Sequence, residues 1–168
     1  MINEVSMSFS RSHQTHLILP PDTNHHGSIF GGRVLAYIDE IAAVTAMKHA
    51  KSEVVTASFD SVDFVSPAYE GNILELEAVV TSTGRSSMEV YVRVMSRDIR
   101  TNETKLTTES FVTMVAVDKE GKPIQVPRVY PETERERQLF DTGDARRELR
   151  QAKRENTKIR RLLLDQYD

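Results

Sequence analysis

The 168-residue chain contains no cysteine, which excludes disulfide bonds and thiolate metal sites. It has no apolar run near the roughly 20 residues that a helix needs to cross a bilayer, so membrane insertion is not expected. Residues 1–6 have neither a basic start nor an apolar stretch and predict no secretory signal. The net charge of −3 is too close to balance to indicate nucleic acid as a partner. Together these absences predict a cytoplasmic protein.

Hydrophobic residues make up only 39% of the chain, and charged residues make up 28%. A chain of this length fits one domain. Its apolar content leaves a small core for that length, which favours self-association. The charge is unevenly distributed, because residues 145–161 contain eight basic residues and two acidic ones.

The hydrophobic pattern predicts one strand, one long buried helix and four further strands. A short strand ends at Leu19, before a double proline, and an almost uniformly apolar segment from Gly31 or Gly32 to about Ala50 predicts a helix wrapped by other structure. Alternating segments follow in antiparallel succession, separated by turn residues, at about 54–64, 74–80, 88–94 and 106–117. This order favours an α+β domain in which a curved sheet surrounds a central helix.

The C-terminal quarter of the chain differs from the rest. Residues 123–143 contain three prolines and are interpreted as a connecting segment, and a helix is predicted from about Asp144 to the end. We therefore divide the chain into a domain at 1–130 and a linker with a charged C-terminal helix at 131–168. A seam at 3-4-3-4 spacing could pair with another helix: Leu149, Ala152, Asn156, Ile159 and Leu163. The alternative is a solvated charged helix with a narrow docking stripe.

The most informative segment joins a polar loop at 24–30 to two glycines and then to the predicted helix. Adjacent glycines let a ligand come close, and the first N–H groups of a helix lack intrahelical acceptors. Two acids, Asp39 and Glu40, follow among apolar residues, where base chemistry is expected. Both have apolar neighbours at helical spacing, so periodicity does not choose between them. These are the parts of a site that polarises a carbonyl group beside a base.

Two other motifs have competing interpretations. His25 and His26 could suggest zinc, but adjacent loop side chains rarely converge on one ion, so no metal site is predicted. The hairpin at 83–87 offers hydroxyls, N–H groups and one guanidinium that could hold a phosphate. On sequence alone, an ordinary glycine turn is the favoured interpretation of that hairpin. The glycine pair at 31–32 matches neither a Walker motif nor a dinucleotide fingerprint.

Taken in order, several segments resemble the hotdog-fold acyl-CoA thioesterases, specifically the bacterial acyl-CoA hydrolases related to the mammalian cytosolic enzyme. The likeness spans about residues 10–130. It is carried by 24–27, 30–32, 37–40, 60–64 and 83–87, together with Pro67 and Gly71. The resemblance implies a hotdog fold, a curved antiparallel sheet wrapped around a central helix. It also implies a homodimer with a continuous sheet as the minimal unit, and trimers of dimers are expected because relatives often form them.

The resemblance also implies the site residues. Asp39 matches the catalytic acid of the family and Asn24 its catalytic asparagine, and in that family the two residues that share a site come from different subunits. N–H groups at Gly31 and Gly32 would bind the oxyanion, and His25 would help to position substrate or water. The residues expected to contact CoA are Ser66 in the pantetheine channel and the hairpin residues Thr83, Gly84, Arg85, Ser86 and Ser87.

The expected activity is hydrolysis of acyl-CoA to a fatty acid and CoA, without a cofactor. A thiol with a pKa of about 8.5 leaves without strong acid assistance, so backbone donors and one carboxylate suffice. Asp39 would act as general base or as nucleophile. One alternative is a hotdog hydratase, whose Asp, Asn-Pro and His loop is only partly echoed at 22–26. The other is a non-catalytic acyl-CoA sensor or interaction module that keeps the hairpin but does not need Asp39.

Overall fold

A computed structural model describes residues 3–167. Its elements are β1 (Glu4–Ser6), α1 (Met7–Ser10), β2 (Ser12–Leu17), α2 (Gly31–Ala50), β3 (Glu53–Phe64), β4 (Ile73–Thr83), β5 (Ser87–Arg97), β6 (Thr104–Val117), β7 (Arg128–Tyr130), α3 (Glu134–Asp141) and α4 (Gly143–Leu164). A 3₁₀ turn at Pro20–Asp22 lies between β2 and α2. The predicted central helix and the four strands after it are confirmed, with bounds that differ by a few residues.

The main sheet has five antiparallel strands in the order β2-β4-β5-β6-β3. The predicted succession is wrong at one point, because β3 does not pair with β4. The chain crosses over after β3, which lies at the far edge of the sheet beside β6, with Glu53 opposite Val117. The paired strands contain register shifts of the kind that bend a sheet, and α2 contacts all five strands. A curved sheet around one helix is therefore confirmed.

The core lies between α2 and the inner face of the sheet. In α2 the buried apolar positions Val34, Ile38, Ile41 and Ala42 fall on one side of the helix. Alternate residues of β4 and β5 face it, and each is at most 2% exposed: Leu74, Leu76, Ala78, Val80, Met88, Val90, Val92 and Val94. Burial of one such aliphatic side chain stabilises the fold by about 1.5–3 kcal/mol, so this alternation fixes which face of the sheet turns inward.

The side of α2 near β3 remains open in a single chain. Val44 and Met47 are 44% and 40% exposed, and Val55 on β3 is 49% exposed. β3 is an edge strand of 12 residues, and within residues 3–167 no strand pairs with its outer side. The predicted helix is thus wrapped by the sheet, while this side of it is left uncovered in a single chain. A long unpaired strand edge beside exposed apolar side chains needs a cover.

The terminal segments contain structure that the sequence analysis did not predict. β1 pairs in parallel with β7, with Val5 opposite Val129. The predicted linker also contains a helix, α3, which begins in a capping box: the Thr133 hydroxyl accepts the N–H of Glu136, and the Glu136 carboxylate accepts the N–H of Thr133. Glu136 is 2% exposed and forms an ion pair with Arg11. The interpretation of 123–143 as a plain connector is therefore wrong for α3.

The first half of α4 lies on the outer face of the sheet and buries Glu89 of β5. This carboxylate is 2% exposed, forms ion pairs with Arg146 at 2.8 Å and with Arg150, and accepts a 2.6 Å hydrogen bond from Thr81. Burial raises the pKa of Glu89, but the bonds from Arg146 and Thr81 and the charge of Arg150 outweigh it, so the pKa lies below its ordinary value. The ionised carboxylate thus joins α4 to the sheet.

The second half of α4 has no partner within the part of the chain that the structure describes. The seam residues Leu149, Ile159 and Leu163 are 72%, 55% and 55% exposed. Both interpretations of this helix, a pairing seam and a solvated helix, therefore stay predictions, as does the division at residue 130. Between residues 3 and 167 no helix is long and apolar enough to cross a membrane.

Candidate active site

Gly31 and Gly32 form the first turn of α2, as predicted. Phe30 is the N-cap, and its carbonyl accepts the N–H groups of Arg33 and Val34 at 3.0 and 3.2 Å. The N–H groups of the two glycines have no acceptor within the helix and lie at its positive end. A Cβ on Gly31 would lie 3.2 Å from the ring of Phe64, so glycine permits this close contact. The turn can therefore donate hydrogen bonds to an oxyanion.

A cavity of about 350 Å³ opens beside this turn. It is mostly apolar, and its walls include Gly31, Val34, Phe64, Val65 and Ser66. The Ser66 hydroxyl donates a 2.5 Å hydrogen bond to the carbonyl of Leu106, which holds the serine in the wall. Ser66 therefore lies near the predicted oxyanion donors.

Asn24 lies in the loop before α2, where it stabilises a tight turn. Its side-chain oxygen accepts the N–H of His26 at 2.9 Å, and its amide donates to the Ser28 hydroxyl at 3.1 Å. Such a turn is the ordinary role of an asparagine in a loop. Because an amide has two N–H donors, one of them is still available for a ligand or water.

An ion pair connects the segment before α2 to the first turns of that helix. Asp22 is 8% exposed, pairs with Arg33 Nε at 3.0 Å, and accepts the N–H of Leu19 at 3.0 Å. Tyr37, one turn further along α2, stacks on His16 with ring centroids 3.8 Å apart. Burial and the negative charge of Asp22 raise the pKa of Tyr37, which therefore stays a neutral phenol. These contacts fix the loop relative to the first turn of α2.

Asp39 lies midway along α2 and points to the open edge of the sheet. Thr56 on β3 donates a 2.6 Å hydrogen bond to Asp39 Oδ1, which leaves Oδ2 available to a ligand or water. Asp39 is half-buried, whereas Glu40 is exposed and its carboxylate forms no hydrogen bond or ion pair within residues 3–167. The structure thus distinguishes two acids that periodicity did not, because only Asp39 is held by the sheet. Thr56 was missed by the sequence analysis.

The hairpin from Thr83 to Ser87 joins β4 to β5. It is closed by the N–H of Gly84, which donates to the carbonyl of Ser87 at 2.8 Å, and Arg147 of α4 donates to the carbonyl of Thr83 at 2.7 Å. The carbonyls of Arg85 and Ser86 accept the N–H groups of Val126 and Ala116, both at 2.9 Å. Arg85 is exposed. The hairpin is therefore anchored on both sides while its guanidinium is left accessible.

The strand register separates the predicted residues into two groups. On β6, Val115 is opposite Ser87 of the hairpin, and Thr108 is opposite Phe64, which touches Gly31. Seven residues of strand correspond to about 23 Å. One chain therefore places Gly31, Gly32 and Ser66 at one end of the sheet and the hairpin at the other.

The two histidines of the loop are exposed, and their rings lie 3.9 Å apart between centroids. His25 has no hydrogen-bond partner among the described residues. Over residues 3–167 no group of three or more His, Asp or Glu side chains is close enough to share an ion. The absence of a metal and of a cofactor both stay predictions, and so does a role for His25.

The fold and site define a hotdog protein with carbonyl-binding donors and a carboxylate at an open edge. The family model that matches, at residues 26–103, is that of the thioesterase superfamily. An uncharacterised acyl-CoA thioester hydrolase of Bacillus subtilis (strain 168) is 48% identical over 130 residues, which make up 77% of this chain and 76% of that protein. The chain belongs to the thioesterase superfamily, among its acyl-CoA thioester hydrolases, and it is an enzyme.

Solved structures are similar over almost the whole chain. A hexameric acyl-CoA thioesterase in its apo form has 63% identity and a TM-score of 0.89, over 90% of this chain and 97% of that one. The Staphylococcus aureus acyl-CoA hydrolase in complex with butyryl-CoA, CoA and CoA disulfide has 48% identity and a TM-score of 0.92, over 96% and 98%. Variants of that enzyme with one aspartate, asparagine or threonine replaced by alanine have also been solved.

Proposed function

We propose that the protein hydrolyses the thioester of acyl-CoA, with Asp39 as the residue that activates water. The observation that carries this proposal is the position of Asp39, held through one oxygen by Thr56 at the open edge of the sheet. The hydrogen bond to Oδ1 restrains the carboxylate and leaves Oδ2 available to a water molecule. General-base activation by such a group commonly contributes about 10²–10⁴-fold in rate.

The oxyanion would be bound by the N–H groups at the start of α2. Gly31 and Gly32 offer donors without an intrahelical acceptor, and the helix dipole favours the negative charge that develops on the carbonyl oxygen. Removal of one such donor in other enzymes costs about 3 kcal/mol of transition-state stabilisation. The thiolate of CoA needs little further assistance in leaving.

We propose that each site is shared by two subunits that pair through their β3 edges. Antiparallel pairing of two β3 strands would complete the hydrogen bonds of both edges and cover Val44, Met47 and Val55. It would also set the two α2 helices side by side in opposite directions. Asn24, before the start of one α2, would then approach Asp39 of the partner subunit, in the middle of the other α2.

In one chain the α2 start and the hairpin lie at opposite ends of the sheet, and the same pairing would bring them to one site. The α2 start of one subunit would lie toward the hairpin end of its partner, so that one CoA molecule could contact both. Along α2, Asp39 lies eleven residues before Ala50, about 16 Å from the hairpin end of its own subunit. The CoA arm would run along that length from Asp39 to Thr83–Ser87. Ser66 and His25 would contribute from the other subunit.

Relatives support both parts of this proposal. The Staphylococcus aureus enzyme binds butyryl-CoA and CoA, and a relative with 63% identity is hexameric. The residue types replaced by alanine in variants of that enzyme, aspartate, asparagine and threonine, also occur in this site as Asp39, Asn24 and Thr56. We therefore propose a homo-oligomer built from dimers, with a trimer of dimers as the full assembly. A cysteine-free composition supports a cytoplasmic location.

A turnover screen tests this function. Acyl-CoA substrates from acetyl to palmitoyl are mixed with the protein, and free thiol is measured continuously. We expect thiol release with at least one chain length and no change in enoyl absorbance. A change in enoyl absorbance without thiol release would instead indicate a hydratase, and binding without turnover at every chain length would indicate a sensor.

A further inference from the structure

The apolar stripe of α4 has no part in the function proposed above. It consists of five positions at 3-4-3-4 spacing, which we call the α4 seam: Leu149, Ala152, Asn156, Ile159 and Leu163. All five are exposed, and Leu149 is 72% exposed. Single exposed apolar residues are common on protein surfaces, but a continuous stripe along one helix indicates an interaction surface. Most of the length of α4 is therefore a candidate interface.

The contacts between α4 and the sheet leave the α4 seam turned outward. Gly143 lies so close to β4 that a Cβ there would be 3.1 Å from the Cβ of Ser82, and Arg146 and Arg150 form ion pairs with Glu89. With 3.6 residues per turn, the α4 seam lies on nearly the opposite side of the helix from Arg150. The sheet thus fixes the helix in place, so a partner that binds the α4 seam meets a surface that is already ordered.

The two sides of the α4 seam carry opposite charges. The seam supplies the a and d positions of two heptads. Two g positions are acidic, Glu148 and Glu155, and the e positions that follow them are basic, Lys153 and Arg160. All four are exposed. Glu155 pairs only with Lys158 of the same helix, at 3.3 Å, and the other three form no ion pair within residues 3–167. Their charges are thus available to a partner.

The order of these charges determines which partner fits. In two parallel helices a g residue faces the e residue five positions later in the other helix, so Glu148 faces Lys153 of a second α4. Glu155 faces Arg160 in the same way, and Asn156 meets Asn156. In two antiparallel helices g residues face g residues, so glutamates would repel one another. The α4 seam is therefore complementary to an identical α4 in parallel register.

A lipid surface fits the α4 seam less well. A helix that lies on an anionic membrane has an apolar stripe and a basic polar face. Here one side of the stripe is acidic, and the guanidinium groups of Arg146 and Arg150 are turned toward the sheet, where they pair with Glu89. The charge pattern favours a second copy of the chain over a membrane.

We propose that three α4 helices, one from each dimer, pack in parallel through the α4 seam around a threefold axis. This inference rests on the trimer of dimers proposed above, for which it names the contact between dimers. Parallel helices in register need a rotation axis along their length, whereas the β3 edges pair about a twofold axis. A threefold axis and a twofold axis at right angles generate a closed trimer of dimers. Two heptads are too short to form a stable isolated helix, and the docking of α4 on the sheet compensates for this.

Sedimentation velocity tests the α4 seam without any substrate. We expect the parent to sediment as a trimer of dimers and Ile159→Lys as a free dimer, because three ammonium groups would meet in one layer. Gln151→Lys adds the same charge at an exposed position outside the seam and should sediment like the parent. Ile159 is 55% exposed in the single chain, so the circular dichroism of Ile159→Lys should match that of the parent.

The outcomes separate this inference from the proposals on which it rests. If Ile159→Lys remains a trimer of dimers, the inference fails and the assembly stands. If the parent sediments only as a dimer, both fail. Neither measurement needs thioester hydrolysis, so the loss of the proposed activity would not alter this result. A parent dimer that co-sediments with vesicles of anionic phospholipid would overturn the inference in favour of a lipid surface.

A single introduced thiol reports the orientation of the helices, because the chain contains no cysteine. In parallel register Leu163→Cys brings two thiols into one layer, whereas antiparallel helices would place position 163 beside position 149. We expect Leu163→Cys to form disulfide-linked pairs of chains under mild oxidation. Lys158→Cys, on another side of α4, is the control and should not cross-link. Cross-linking that requires a mixture of Leu149→Cys and Leu163→Cys chains would overturn the parallel arrangement.

Discussion

The two ends of the sheet differ in chemistry, although one chain builds both. At the α2 start the cavity of about 350 Å³ is mostly apolar, with N–H donors and hydroxyls as its polar groups. At the other end, a cavity of about 1020 Å³ beside the hairpin is lined by guanidinium groups, carboxylates and an aromatic ring. Asp39 lies between them on α2. The groups suited to the reaction are therefore separated from the charged groups beside the hairpin by most of the length of the domain.

The largest expected effect is on the reaction itself. Asp39→Asn keeps the size and the hydrogen bond from Thr56 but removes the base, so kcat for thiol release should fall by about 10²–10⁴-fold. Size-exclusion chromatography should show an unchanged oligomer. The neighbouring exposed acid gives the matched control, since Glu40→Gln should keep parental turnover. Retained activity in Asp39→Asn would show that this carboxylate does not take part in the reaction.

The hairpin end should be more sensitive to the loss of α4 docking than the α2 start. Glu89→Ala leaves Arg146 and Arg150 without their buried partner, and breaking a buried ion pair costs about 3–5 kcal/mol in the free energy of unfolding. The expected drop in Tm is about 10 °C for a chain of this size. Hydrogen exchange should increase first along α4 and the hairpin. An unchanged Tm would mean that α4 is not held by this carboxylate.

Whether a feature could be predicted from the sequence depends on how far apart along the chain the interacting residues lie. The alternation in β4 and β5 and the apolar run of α2 are local signals, and they located these elements and their buried faces. Glu89 lies between the inward-facing Met88 and Val90 of β5, and its burial depends on Arg146, 57 residues away. No local pattern contains that contact, so the docking of α4 and the cavity beside the hairpin were not predicted.

Two other omissions have different causes. Thr56 was missed because a hydrogen bond from β3 to α2 depends on how strand and helix face each other, which periodicity does not give. α3 was missed although a local signal exists, since Thr133 and Glu136 have the spacing of a capping box. Three prolines nearby favoured a linker instead.

Thr56→Val should produce a smaller effect at the reaction centre than the loss of Asp39. The substitution keeps the shape of a β-branched side chain and removes the hydroxyl that orients the carboxylate. We expect kcat to fall about tenfold, corresponding to one hydrogen bond to a charged group at an exposed position, with KM little changed. Thr56→Ser, which restores the donor, should recover most of the loss. If both variants are equally impaired, the hydroxyl does not act through Asp39.

The smallest expected effect is on how the free energy of unfolding decreases at acidic pH. Because the pKa of Glu89 is lower in the folded protein than in the unfolded chain, its contribution is complete above the ordinary glutamate value of about 4.3 and is lost as the pH falls through the folded value. Denaturant midpoints measured from pH 7 down to pH 3 should therefore fall less steeply in Glu89→Gln than in the parent. Equal slopes would contradict the assigned ion pairs.

Mixing two inactive variants tests the shared site most directly. Asn24→Ala and Asp39→Ala should each be inactive alone, and heterodimers should form when the two chains are co-expressed with different tags and purified through both. If Asn24 of one subunit works with Asp39 of the partner subunit, each heterodimer contains one intact site, and thiol release should return to about half of the parental rate per dimer. If both residues of one chain serve the same site, every site keeps a defect and the purified heterodimer stays inactive.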